Sequence, residues 1–283
     1  MRVAIVTDSA AALPFDLIRD HGITVVPMWL TVRGISEPEG HRPLEALVHE
    51  SDVTTSAPTP GDFERAIKEA NGSGDGCLVV TIASSMSATF QSATVAAHAV
   101  GGPVRVLDST SAGGAEALVV LAAAHAAQRG ASLEECEARA LEVVDRVRLV
   151  ASVPTLDHLV RSGRVPGVAG WAGRRLGINP LFEFRRGKVK RLRPALSRDA
   201  ALDRIVALVH RSRPPHARLH VAALHALAVD TANVLLERVT GLERPSTAFI
   251  GEFGPVMVVH TGPGLAGVAW WWEAEPSDVR PGP

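Results

Sequence analysis

Residues 78–97 read LVVTIASSMSATFQSATVAA, and this stretch decides the fold class. Its first five residues are apolar, rich in β-branched side chains and too few for a helix, which predicts a buried parallel strand. A helical pattern begins at Ser87 or Ala88, with one face formed by Phe90, Ala93, Thr94 and Ala97. A strand that ends in hydroxyl groups and then opens a helix leaves free N–H groups at the carboxyl edge of its sheet. Such a place suits an anion, and we expect a carboxylate there.

Strand–helix units of this kind recur along the chain without hairpin signals until about residue 150, where the composition changes. The pattern predicts an α/β protein of two domains. Residues 1–150 are expected to form a mostly parallel sheet flanked by helices. Residues 151–275 are expected to form a mixed α/β sheet, with a hairpin turning at residues 185–187. The Pro- and Gly-rich residues 276–283 predict a flexible tail.

Three connecting segments also carry expectations. Residues 23–32 read as one extended run with Pro27 inside it, which favours an edge or bulged position. Residues 33–42, rich in Gly and Pro, are expected to form a loop. Residues 256–259 read as a strand that ends at His260, within the turn sequence HTGPG.

A second group of hydroxyl side chains precedes another helix start. Thr59 is a natural N-cap, and Asp62 at N3 can complete a capping box. Thr55 and Ser56 are therefore expected in a loop beside a helix entry, as Ser85 and Ser87 are. One interpretation is that these hydroxyls only cap and turn the chain, and the other is that both loops build one anion site.

Overall composition narrows the function classes. The 283 residues include 29 basic and 30 acidic side chains, which gives no general case for nucleic acid or a membrane surface. Cys77 and Cys136 are the only cysteines, so we do not expect a disulfide framework. We expect the protein to reside in a reducing cytoplasm. The chain starts directly in a strand, without a signal-peptide pattern, and its uncharged runs contain Gly and Pro at spacings unsuited to a membrane span. The histidines show no HExxH or H-x-H pair, so we expect no metal.

Residues 161–198 contain eleven Arg or Lys and one acid, Glu183, a net charge of +10. Scattered charges usually form a solvated face, but this density predicts docking to an acidic protein partner or to phosphates. Few aromatic side chains accompany the charges, which disfavours nucleic acid. The residues proposed for docking are Arg161, Arg164, Arg174, Arg175 and Arg198.

An ester or lipid hydrolase is the alternative from another functional class. Ser85 or Ser87 with His260 could be drawn as a nucleophile and its base. The sequence contains no G-x-S-x-G elbow, however, and so gives this reading little support.

The chain resembles the DegV family of bacterial fatty-acid-binding proteins, which includes the acyl-carrying subunits of fatty acid kinase. The resemblance runs from residue 2 to about residue 272 and rests on several motifs taken in order. These are VAIVTDSAAALP (3–14), ITVVPMWLTV (23–32), TSAPTPGDF (55–63), SSMSATFQSA (84–93), LDST (107–110), LVRSGRVPG…GINPLFEFRRGKV (159–189) and HTGPG (260–264).

The resemblance implies a protein that is not itself an enzyme, needs no cofactor and encloses one long-chain fatty acid. A separate kinase would phosphorylate the carboxylate, and transient contact with a membrane surface is compatible with this role. The implied head-group residues are Thr55, Ser56, Ser85, Ser87, Ala88, His260 and Thr261. Two positions depart from the family pattern, because Ala88 replaces a usual glycine and Phe90 a frequent tyrosine.

Overall fold

The computed structural model describes residues 3–47, 50, 52–72, 75–165 and 178–274. The strands are β1 (Ala4–Asp8), β2 (Ile23–Val26), β3 (Trp29–Val32), β4 (Ile35–Pro38), β5 (Val53–Ser56), β6 (Cys77–Thr81), β7 (Val104–Asp108), β8 (Arg148–Ser152), β9 (Asn179–Arg185), β10 (Lys188–Ala195), β11 (Ala217–His225), β12 (Thr247–Glu252) and β13 (Ala266–Ala274). The helices are α1 (Phe15–His21), α2 (Leu44–Leu47), α3 (Pro60–Ala70), α4 (Thr89–Val100), α5 (Gly114–Gln128), α6 (Leu133–Arg146), α7 (Asp157–Ser162), α8 (Arg198–Arg211), α9 (Val229–Thr240) and α10 (Pro255–Thr261).

The first sheet has the order β2-β1-β6-β7, and all its strands are parallel. Every residue of β6 is buried because helices cover both faces, as an uninterrupted apolar run requires. Phe63 of α3 and Ala93 of α4 pack on one face, and α5 and α6 cover the other. The predicted parallel sheet is confirmed. The buried side of α4 differs in detail, since it runs through Thr89, Ala93 and Ala96.

The second sheet is mixed, in the order β10-β9-β8-β13-β11-β12. Only β11 and β12 pair in parallel, and the hairpin of β9 and β10 turns where the sequence predicted. Helices α8 and α9 cover the outer face around Trp270, whereas the inner face, including Leu224 and Trp271, packs toward α5. The predicted mixed α/β sheet is therefore confirmed. The domain division at residues 150/151 stays a prediction, and the tail over 276–283 lies outside the described residues.

Helix α5 lies between the two large sheets and is buried on almost every side. Its residues 114–124 are all buried, and His125 is the first that is half-exposed. A helix that is apolar on nearly every side, with Glu116 as the buried exception, needs cover all round, and strands of both sheets supply it. The approach is close at Gly114, where a Cβ atom would lie 2.7 Å from the Cβ of Ala222.

A small third sheet, in the order β4-β3-β5, was not predicted. The expected single run over 23–32 divides at Pro27, because β2 pairs with β1 whereas β3 pairs with β4 and β5. The expected loop over 33–42 contains β4, and Thr55 and Ser56 end strand β5 instead of lying in a loop. Strands β4 and β5 have four residues each and carry polar side chains, so they lack the apolar periodicity that identifies a strand.

The strand predicted over 256–259 is wrong, because residues 255–261 form helix α10. Pro255 fits the first helical position and Gly262 follows the last, whereas the valines suggested a strand by their β-branching. Short apolar runs do not distinguish the two structures, and burial against α7 and β5 decides for the helix. Within the described residues no helix is long and apolar enough to cross a membrane.

Candidate functional site

A cavity of about 370 Å³ lies between the loop that follows β6 and the inner face of the second sheet. Its apolar wall includes Ala112, Ala151, Phe182, Phe184, Val189 and Leu224. Its polar lining consists of Thr55, Ser56, Ser87, Ser162, Arg164, His260 and Thr261. A mostly apolar enclosure with a few polar groups suits a ligand that has a hydrocarbon body and one polar head.

The polar part of this cavity adjoins the protein surface. A groove of about 590 Å³ lies beside it, and Thr55, Arg164 and His260 line both spaces. Arg161 lines only the groove, where its guanidinium group hydrogen-bonds the ring of His158 at 3.0 Å. A polar head held at Thr55 and His260 would therefore face this groove.

The carboxylates of Asp8, which is buried, and Asp108, which is partly buried, hold the loop after β6 in place. The N–H of Ile82 donates to Asp8 Oδ2 at 2.9 Å, and the N–H of Ser84 donates to both oxygens of Asp108 at 3.2 Å. These donors at the strand end are therefore used inside the protein, which corrects the expectation that they are free for a ligand. In the part of the chain that the structure describes, no group accepts from the N–H of Ala88, at the start of α4.

Ser87 combines a structural role with a place in the cavity wall. Its Oγ accepts from the N–H of Thr89 at 3.3 Å and lies 2.7 Å from the Thr89 hydroxyl, so it stabilises the turn that leads into α4. The next residue, Ala88, has φ −73°, which any L-residue adopts without strain. An alanine here in place of glycine therefore costs no backbone strain.

Thr55 and His260 meet across the cavity entrance. Thr55 Oγ1 lies 2.8 Å from His260 Nε2, whereas His260 Nδ1 is buried without a partner among the described residues. If Nε2 carries the proton, it donates to Thr55, and the hydroxyl proton of Thr55 is free for a ligand oxygen. This tautomer also avoids burying an unpaired N–H at Nδ1. The hydroxyl of Ser56, next in the chain, has no hydrogen-bond partner among the described residues.

His260 also gives the protein's stability a pH dependence. Burial, and then the positive charge of Arg164, lower the pKa of its imidazole from 6.5 to about 4. Between these values the unfolded chain binds a proton that the folded chain does not, so the free energy of unfolding falls as the pH is lowered from about 6.5 to about 4. We expect the wild type to lose more stability than His260→Gln between about pH 7 and about pH 5, measured by urea unfolding. Equal losses in the two proteins would contradict the lowered pKa.

Other predicted site residues lie elsewhere or act differently. Ser85 does not line the cavity, because it is exposed and its hydroxyl donates to the carbonyl oxygen of Gly187 at 2.9 Å. Thr261 lines the cavity, but its hydroxyl donates to the carbonyl oxygen of Met257 within α10. Arg198 lines a separate depression at the start of α9, away from Arg164. Arg174 and Arg175 lie outside the described residues.

The arrangement required for a serine hydrolase is not formed among the described residues. Ser87 hydrogen-bonds Thr89, Ser85 bonds a backbone oxygen, and His260 bonds Thr55 instead of either serine. The nucleophile–base contact that such an enzyme uses is missing from this set of contacts. No group of three or more metal-ligating side chains occurs among the described residues either.

A clamp formed by Ser9 and Glu39 was missed by the sequence analysis. Ser9 Oγ accepts from the N–H of Met28 at 2.9 Å and donates to the carboxylate of Glu39. The other oxygen of Glu39 accepts from the N–H of Val256 at 3.0 Å, at the start of α10. Burial raises the pKa of Glu39. The clamp therefore joins α10, which carries His260, to the segment between β2 and β3. Ser9 and Glu39 are thirty positions apart in the sequence, and no local sequence pattern predicts their contact.

We expect Ser9→Ala to destabilise the protein by about 1–3 kcal/mol, because Met28 N–H and the Glu39 carboxylate each lose a buried partner. Urea unfolding would measure the loss. Ser36→Ala is the matched control, since Ser36 is exposed and its hydroxyl contacts Thr31 on the neighbouring strand. Equal stability of the two variants would show that the clamp contributes nothing.

Comparisons with known proteins cover nearly the whole chain. A family model described as an uncharacterised protein of the DegV family matches residues 2–273. A DegV domain-containing protein of Mycobacterium tuberculosis (strain ATCC 25618 / H37Rv) is 35% identical over 274 residues, covering 95% of this chain and 96% of that one. A protein of Thermotoga maritima named fatty acid-binding protein is 28% identical, covering 94% and 96%. The solved structure titled as fatty acid binding of a DegV family protein from Thermus thermophilus has a TM-score of 0.88 and 29% identity, covering 96% of this chain and 99% of that one.

Proposed function

Since the chain belongs to the DegV family, we propose that it binds one long-chain fatty acid in the cavity between its two large sheets. The observation that carries the proposal is the cavity itself, which is apolar along most of its wall and shares the polar residues Thr55, Arg164 and His260 with the groove. The relatives from Thermotoga maritima and Thermus thermophilus, described as binding fatty acids, support the same ligand class.

The hydrocarbon chain would supply most of the affinity. Burial of about 15 methylenes at about 0.8 kcal/mol each amounts to about 12 kcal/mol before the cost of ordering the ligand. The side chains of Phe182, Phe184 and Leu224 offer the required apolar surface. The head group then fixes the position of the ligand along the cavity more than it increases the affinity.

The carboxylate would be held mainly by neutral donors. Thr55, Ser56 and Ser87 offer hydroxyl groups, Ala88 offers a backbone N–H at the start of α4, and the His260 imidazole orients Thr55. Hydroxyl and backbone donors stabilise a carboxylate without a full positive charge at contact distance. Arg164, in the wall that cavity and groove share, adds positive potential.

In this proposal the protein is a carrier that presents the carboxylate to a partner kinase, which would phosphorylate it to an acyl phosphate. The groove beside Thr55 and His260 gives a second protein access to the head group. Arg161 and Arg164 on its wall suit contact with an acidic partner or with a transferred phosphate.

Purification from a bacterial host, denaturing extraction and mass spectrometry test the ligand. We expect about one equivalent of long-chain fatty acid per chain, because the cavity encloses one apolar ligand. Absence of the acid, together with failure to bind added acid, would overturn the proposal.

The same preparation tests the competing hydrolase function. Incubation with an activated acyl ester should give no turnover above that of the Ser87→Ala variant, because no serine contacts His260 within the described residues. Turnover that disappears in Ser87→Ala would favour a serine hydrolase instead.

A further inference from the structure

A second, polar pocket of about 340 Å³ lies at the C-terminal end of α5, away from the fatty acid cavity. Ala112, just before α5, borders the cavity, whereas His125 and Arg129 at the other end border this pocket. A helix of this length spans about 22 Å, so the two sites are well separated. The charged and titratable side chains that line the pocket are Arg129, Arg139, Arg218, His125, His220 and Glu273.

The balance of charge in this lining is positive. Three guanidinium groups face one carboxylate, that of Glu273, which binds Arg139, Arg218 at 2.8 Å and His220 at 3.3 Å. Arg139 also pairs with Glu142, a residue that does not line the pocket and that Arg146 shares. The carboxylate of Glu273 thus accepts from several cationic side chains. The pocket lining contains more hydrogen-bond donors than this carboxylate can accept from.

The basic groups are held in place before any ligand arrives. The ring of His220 stacks on Trp271 with centroids 4.4 Å apart, and its Nδ1 lies 3.0 Å from the Thr247 hydroxyl. The guanidinium group of Arg139 lies 5.0 Å from the centroid of the same Trp271 ring. These side chains are already ordered, so the free energy cost of immobilising them when a ligand binds is small.

Arg129 is the cation with free donor capacity. It is exposed and forms no ion pair with any described residue, although it lines the pocket beside His125. The electrostatic environment of His125 is consistent with this surplus. Burial first, then the neighbouring His21, and after it Arg129, His220 and Arg139 lower its pKa from 6.5 to about 4.

We propose that this pocket binds a compact oxyanion of the phosphate class, with Arg129 and Arg218 as its principal ligands. Guanidinium groups match phosphate oxygens in planar, two-point contacts. His125 and the hydroxyl of Ser246 lie in the same wall and can donate further hydrogen bonds. The site size suits one phosphate group with a small substituent.

The lining does not suit a nucleic acid. Trp271 is 2% exposed, and both His220 and Arg139 lie against its ring, so a base has no aromatic face on which to stack. The concave shape likewise suits a small anion more than an extended backbone.

Calorimetric titration of the purified protein with inorganic phosphate, at ionic strength held constant with sodium chloride, tests the proposal. We expect saturable binding that weakens about tenfold in Arg129→Gln and in Arg218→Gln, because each variant removes one charge-assisted contact. Arg65→Gln is the matched control, since Arg65 pairs with Asp62 on α3 and lies outside the pocket. Glu273→Gln should bind phosphate more tightly, because it removes the competing carboxylate.

A second readout and a second probe complete the test. Bound phosphate should raise the pKa of His125 above about 4, observed by NMR titration of the imidazole signals. Tighter binding of glycerol 3-phosphate than of inorganic phosphate would identify a phosphate monoester as the source, and equal binding would identify free phosphate. The proposal fails if phosphate gives no saturable signal, or if Arg129→Gln and Arg218→Gln bind it as well as Arg65→Gln does.

Discussion

Val189→Trp is expected to reduce the long-chain fatty acid that co-purifies with the protein from about one equivalent to below about 0.1. Val189 lies on β10 opposite Phe184 of β9, and both side chains line the cavity. An indole at this position takes the space of part of the acyl chain. Displacing about four methylenes costs about 3 kcal/mol, which is about a hundredfold in affinity. Denaturing extraction and mass spectrometry measure the loss.

The matched control for this substitution is Lys190→Trp. Lys190 is the next residue on the same edge strand, and neighbouring side chains of a strand point to opposite faces. Val189 is half-buried and Lys190 exposed, so both proteins are expected to fold. An acid of about ten carbons should still bind Val189→Trp, because its shorter chain does not need the space that the indole fills. Normal loading of Val189→Trp with long-chain acid would show that the acyl chain lies elsewhere.

Thr55→Val is expected to weaken fatty acid binding by about 10- to 100-fold. The substitution keeps the shape of the side chain but removes the hydroxyl that lies 2.8 Å from His260 Nε2. A hydrogen bond to a charged group contributes about 1.5–3 kcal/mol, and here the variant also leaves the His260 ring without a partner at either nitrogen. Displacement of a fluorescent fatty acid measures the affinity.

Thr31→Val controls for the loss of a threonine hydroxyl on a neighbouring strand. Its hydroxyl contacts Ser36, and it does not line the cavity. Affinity in Thr31→Val should match that of the wild type. If Thr55→Val also retains full affinity, the head group is not held at Thr55 and the proposed orientation of the ligand is wrong.

Local signals in the sequence predicted much of the architecture. The capping box Thr59–Asp62 opens α3 as expected, because it is made by residues three apart. The buried run before Ser84 formed the predicted parallel strand. The small sheet of β3, β4 and β5 was not predictable in the same way, because β4 and β5 are short and polar and β5 pairs with β3 from about twenty residues further along the chain.

The candidate site was predictable in part for the same reason. Thr55, Ser56, Ser87 and His260 were singled out by type and position, and they line one cavity. The strand assigned to residues 256–259 was wrong, because its valines fit either structure and only tertiary burial decides between them. The contact between Ser9 and Glu39 depends on three segments that meet only in the folded chain.

The burial of α5 has a consequence for how the polypeptide acquires its structure. Neither half of the chain can shield this helix alone, because one side packs on β1 and β6 and the other on β11 and β13. A nascent chain that ended near residue 150 would present a broad alanine- and valine-rich surface to solvent, prone to self-association. We therefore expect the first half to complete its packing only after the second sheet has covered α5.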